Sequence, residues 1–181
     1  MPWYVRSMTE AADQLDLGRH RDLQGRGSHV WVRRVLLVLL GGIVLAALLG
    51  TFGQHPATSH AKNTQAALEV QSPDRLRGGL IFQARFTIAA RQRIAKPTLV
   101  LDRGWFESMS VNSTIPSPTQ EKVVDGADRM TFDPIAAGRS ATVWIYFQVN
   151  PTNVGRRSED VRLDDGERKL FEVRRSVTVF P

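Results

Sequence analysis

The chain has 181 residues, a formal net charge of +6 and no cysteine. That length holds one ordinary domain and an added segment. The lack of thiols excludes disulfide frameworks, cysteine-ligated zinc, iron–sulfur sites and thiol nucleophiles. Charges of both signs interleave instead of gathering into the basic stripe that nucleic acid binding requires.

Residues 1–34 are polar and read as a largely disordered cytoplasmic tail, with Met8–Leu17 able to form a helix too short to stand alone. From Val35 to Gly53 run nineteen residues without a charge. As a helix they would span roughly 28 Å, close to a bilayer's hydrocarbon core. Arg33 and Arg34 precede this run, and the far flank, Gln54 to Ala61, carries no charge. The positive-inside rule then predicts a single-pass transmembrane helix over 35–53, with the N-terminus cytoplasmic and the C-terminal domain extracytoplasmic. Trp31 suits an interfacial position. The competing reading is a cleaved signal, with Ser59-His60-Ala61 as the small-x-small site, but its charged leader would be unusually long. Gly42, Ala46 and Gly50 fall four apart, a small-residue stripe of the kind that pairs membrane helices. Residues 54–65 read as a polar linker. His55 and His60 lie there without the further ligands that a metal needs.

From Ala66 the period changes to two. Leu68 and Val70 alternate with polar neighbours up to Pro73. After Gly78-Gly79, the side chains of Phe82, Ala84, Phe86 and Ile88 share one face. Thr98 to Asp102, Met109 with Val111, Val123-Val124 before the Asp125-Gly126 turn, and Met130 with Phe132 give further strands. Ala141 to Val149 has the strongest alternation, with Val143, Ile145, Phe147 and Val149 inward and Trp144, Tyr146 and Gln148 on the opposite face. Val161 and Leu163 precede the Asp165-Gly166 turn, and a last strand runs from Lys169 to Phe180. Seven to eight short strands in residues 66–181, with regular turns and no intervening helix, predict an all-β fold. Its form is an antiparallel β-sandwich preceded by one transmembrane α-helix. A closed barrel is the alternative.

Three stretches give this domain a resemblance to a known family. They are Gly79 to Ile88, Thr98-Leu99-Val100-Leu101-Asp102, and Ala137-Gly138-Arg139-Ser140-Ala141-Thr142-Val143. In order and pattern they resemble the conserved-repeat Ig-like modules of bacterial cell-surface proteins. The resemblance implies an Ig-like sandwich presented outside the cytoplasm.

The β region contains no histidine, so a Ser-His-Asp triad cannot form within it. A Ser-Lys pair has candidate lysines in Lys96, Lys122 and Lys169, but no motif around them. The acidic run Glu159-Asp160, Asp164-Asp165 and Glu167 reads as a solvated hairpin. It lacks the ligand spacing of a calcium loop. No cofactor and no metal site are expected.

Three surface features remain as candidate binding residues. Trp105 is one of two adjacent aromatics, of which a strand would expose one. Asn150, Asn153, Arg156 and Arg157 lie in a polar loop at one end of the expected sandwich. Trp144 and Tyr146 form an aromatic pair on the outer face of the strongest strand. The expected function is a membrane-anchored interaction module, an accessory or assembly subunit of an envelope complex. The alternative is a domain that binds envelope polysaccharide through exposed aromatics, and a third reading is an enzyme of unrecognised type.

Overall fold

The computed structural model describes residues 27–50 and 55–181. The chain divides into two compact units, Met1–Thr51 and Phe52–Pro181. The first holds α1 (Gly27–Leu48), whose segment Val30–Leu48 is long and apolar enough to cross a membrane. Its apolar side chains lie on all sides instead of forming one stripe, as suits a lipid-facing helix. The helix starts eight residues earlier than expected, because nothing between Gly27 and Val35 interrupts it and arginine is a good helix former. It also stops earlier. Leu49 N donates to Leu45 O (2.9 Å), Gly50 N donates to Ala47 O (3.0 Å), and Gly50 takes the left-handed conformation at φ 73°. Gly50 therefore lies beyond the helix, and only Gly42 and Ala46 of the small-residue stripe remain on it. The Met8–Leu17 segment and most of the expected tail lie outside the described residues.

In the second unit the strands are, in chain order, β1 (Pro56–Lys62), β2 (Ala66–Pro73), β3 (Arg75–Arg77), β4 (Ile81–Ala90), β5 (Pro97–Leu101), β6 (Met109–Ile115) and β7 (Gln120–Val124). They continue with β8 (Ala127–Thr131), β9 (Ser140–Val149), β10 (Gly155–Ser158), β11 (Val161–Asp165), β12 (Arg168–Val173) and β13 (Ser176–Phe180). One five-stranded sheet has the order β1-β2-β4-β9-β6 and the other β12-β11-β5-β8-β7. A third sheet, β10-β13-β3, contains the parallel pair β13–β3. The fold is an all-β sandwich, with thirteen strands among the described residues, twelve of them in residues 66–181, where seven to eight were expected.

The two five-stranded sheets share one core. Phe82, Phe86, Ile88, Ile145 and Phe147 from the first meet Leu99, Leu101, Met130 and Leu163 from the second. Phe82 and Phe147 stack at 5.2 Å. The alternation that identifies β4 and β9 is the cause of this arrangement, since a pleated strand sends every second side chain to the same face.

The polar segment expected to be a linker, 54–65, instead contributes β1, paired with β2 over seven positions from Pro56↔Pro73 to Lys62↔Ala67. It has no large apolar side chain. Its inward positions, Ala57, Ser59 and Ala61, are half-buried, and backbone bonds hold it to the sheet. The expected last strand is two strands in different sheets, β12 and β13, broken at Arg174-Arg175. Opposite this break, β10 and β11 are interrupted at Glu159-Asp160. Here Glu159 N donates to Arg175 O (3.0 Å) and Arg175 N donates to the Asp160 carboxylate (2.8 Å).

Candidate functional site: the outer face of the first sheet

Five strands carry a continuous row across the outer face of the first sheet. Thr58 of β1 lies opposite Gln71 of β2, Gln71 opposite Arg85 of β4, Arg85 opposite Trp144 of β9, and Trp144 opposite Ile115 of β6. One row over, Tyr146 lies between Gln83 and Ser113, and Gln83 Nε2 donates to Tyr146 Oη (3.0 Å). Trp144 and Tyr146 are each half-buried, and Ile115 is 52% exposed. Near the Pro73 end of β2, a groove of about 290 Å³ opens between Pro56, Gln71, Pro73, Gln83, Arg85 and Trp144. Arg85 Nε is buried there without a hydrogen-bond partner. A flat indole wall, two primary amides and a guanidinium suit a ligand that offers both an apolar face and hydrogen-bonding oxygens.

Trp105 is not on this surface. It is fully buried, with ring centroids 5.6 Å from Phe86 and 5.3 Å from Phe147. The alternation rule fails because Arg103–Trp105 is a 3-10 turn capped by the Asp102 side chain, not a strand. Phe106 is half-buried and packs on Phe147 at 6.3 Å.

The polar loop also differs from the expectation. Asn153 is buried, and its Nδ2 donates to Ser108 O (3.2 Å). Arg157 donates to Glu107 O and to the Asn153 side-chain oxygen. Asn150 stays exposed, and its side-chain oxygen accepts from Thr152 N (3.0 Å) and Thr152 Oγ1 (2.9 Å). Arg156 is exposed and donates to Ser176 Oγ (3.1 Å). Much of the polar capacity of this loop holds the loop to itself and to the 3-10 turn. A buried amide must find partners, and these are the nearest ones.

Neither is the acidic run solvated throughout. Glu159 and Asp164 are buried. Asp164 lies between Arg129 (3.3 Å) and Arg162 (3.0 Å). Glu159 Oε2 is 3.5 Å from Arg175 Nη1, with both side chains almost wholly buried. Burial pushes the Glu159 carboxyl up to about 7, against the opposing pull of Arg175 and Arg157. Burial likewise lowers the pKa of Arg175. The Arg175 guanidinium lies 5.1 Å from the Trp105 ring centroid and donates from Nη2 to Ser72 O (3.2 Å) and Pro73 O (3.3 Å). Its inward position was readable, since Arg175 shares the parity of Val173 and Val177. At the rim of the second sheet, burial and the neighbouring Glu121 raise Asp128 to about 6. Among the described residues, no three histidine or acidic side chains are gathered as a metal site requires.

No protein-family model matches the chain, and no curated protein is similar to it in sequence. Solved structures give weak likenesses. The human F-spondin reeler domain is similar at 14% identity and a TM-score of 0.37, over 65% of this chain and 90% of that one. A GH20 exo-β-N-acetylglucosaminidase from Vibrio harveyi, solved with N-acetylglucosamine, is similar at 14% identity and a TM-score of 0.30. That match covers 70% of this chain and 18% of the enzyme. At these scores neither likeness carries an argument about this protein.

Proposed function

We propose that the protein is a single-pass membrane protein, with its N-terminus cytoplasmic and its β-sandwich extracytoplasmic. In this reading the sandwich captures a protein partner as an accessory or assembly subunit of an envelope complex. The resemblance of residues 66–181 to bacterial cell-surface Ig-like modules agrees with that role. The observation that carries the reading is the partly exposed aromatic pair Trp144 and Tyr146, beside Ile115 on the outer face of the first sheet. Aromatic side chains in such a setting are favoured at interfaces. The test is a crosslinked pulldown from membranes with the double variant Trp144→Ala, Tyr146→Ala, beside its thermal unfolding. Partner capture should fall while stability drops only slightly. A double variant that unfolds like a core truncation, by about 3–5 kcal/mol, removes this face from the argument.

The groove favours a second reading, binding of envelope polysaccharide. A sugar ring could stack on Trp144 while Gln71, Gln83 and Arg85 meet its hydroxyls. Retention on cell-wall polymer, with a change in indole fluorescence abolished by Trp144→Phe, would favour it. Trp105 is buried and should stay silent in that measurement.

A further inference from the structure

The chain enters the sandwich at an end with an unusual surface. Pro56 starts β1 opposite Pro73, and β4 starts with Ile81 opposite Gln148. Gly78 N donates to Phe180 O (2.9 Å), Gly79 N donates to Val149 O (3.0 Å), and Gly155 lies opposite Val179. The 78–80 connection, the 150–154 connection and Phe180 therefore stand side by side. The two connections are in close contact, since a Cβ on Gly78 would come within 2.6 Å of Pro151 O.

At this end Leu80, Ile81, Val154 and Phe180 are exposed by 41%, 58%, 55% and 40%, with Ile81 on the same face as Gln83. They are four of the seven large apolar side chains so exposed among the described residues of the β unit. The adjoining strands β3 and β10 carry exposed Arg75, Arg77 and Arg156, the last donating to Ser176 Oγ (3.1 Å), against Asp74. Apolar side chains gathered in this way, in strands and turns that also carry exposed arginines, mark an interaction surface. At an anionic bilayer its apolar side chains enter the acyl boundary while the arginines meet phosphates. Only residues 49–55 separate the last residue of α1 from Pro56.

We propose that this end of the sandwich docks on an anionic lipid surface, with Leu80, Ile81, Val154 and Phe180 at the headgroup boundary and Arg77 and Arg156 on lipid phosphates. The proposal rests on the reading of α1 as a retained anchor.

The lack of native cysteine makes the test direct, because one introduced thiol is a unique label. The full chain would be reconstituted in vesicles of phosphatidylcholine alone or with phosphatidylglycerol. Ile81→Cys, Val154→Cys and, at the opposite end, Gln92→Cys would each carry an environment-sensitive fluorophore. Brominated lipid should quench positions 81 and 154 but not 92, and more strongly with phosphatidylglycerol. The second loop label keeps the test valid should Ile81→Cys disturb β4. Arg77→Gln and Arg156→Gln should each lower the docked-to-undocked ratio by about fivefold. Equal quenching at all three positions, or quenching indifferent to lipid charge, overturns the proposal. Alkaline extraction of the same vesicles separates the two readings. A chain that resists extraction but shows no selective quenching keeps the anchor and loses the docking, whereas an extracted chain overturns both.

Discussion

Gly104 lies so close to Ser158 that a Cβ there would overlap the Ser158 carbonyl. The next residue, Trp105, fills the core between Phe86, Phe147 and the Arg175 guanidinium. Trp105→Ala should therefore destabilise the sandwich by about 3–5 kcal/mol, and Gly104→Ala should also be severe because the overlap is with backbone. Urea unfolding of the full chain in detergent, followed by fluorescence, measures both. Glu159 gives a pH dependence with a definite sign. Its folded pKa of about 7 lies above its ordinary value of 4.5, so the folded state binds more protons between those values. Its contribution to stability is thus fully present below 4.5 and is lost as pH rises through 7, by on the order of 3 kcal/mol. Asp128 acts in the same direction, from 3.8 to about 6. Melting temperature should fall between pH 4.5 and 8, and Glu159→Gln should flatten that fall. The slope is the diagnostic, because the variant also removes the Glu159 charge from Arg175 and leaves it that of Asp74.

At the scale of elements, β1 is the strand whose side chains announce it least. Ala61 packs against the core, whereas Thr58 faces outward and is exposed. Ala61→Asp should cost about 2–3 kcal/mol through burial of an unpaired charge, and Thr58→Asp close to nothing. Equal, negligible effects in thermal unfolding would return this segment to the status of a linker. The contrast explains what was legible beforehand. The alternation in β4 and β9 is written in large apolar residues, so their inner faces and the outward placement of Trp144 and Tyr146 could be read directly. β1, β3 and β10 are held by backbone pairing and carry almost no apolar signal. Trp105 was misplaced because a 3-10 turn obeys a different geometry from a strand. Asn153 was misplaced because its partners are Ser108 O, in another connection, and the side chain of Arg157 in β10, and strand alternation describes neither contact.

At the scale of the whole molecule, the proposed orientation predicts that a reporter active only in the cytoplasm, fused after Pro181, is silent, and that one active only outside is not. The reverse result would overturn the orientation while leaving the sandwich intact. The two sides of the sandwich are also unequal. On one side Asn63 Nδ2 of the β1–β2 turn reaches Leu170 O of β12 (3.4 Å), so the edges of the two sheets meet. The strands β6 and β7 at the other ends of the sheets have largely exposed side chains. The placement of β1 has a mechanical consequence. A pull applied at Pro56 along the strand axis loads all seven β1–β2 pairs in shear at once, instead of peeling them one by one. Resistance to such a force is set by an unfolding rate and not by equilibrium stability. Under the proposed anchoring and partner capture, the strand that looks least like part of the domain would be the first to bear tension when the partner is pulled away.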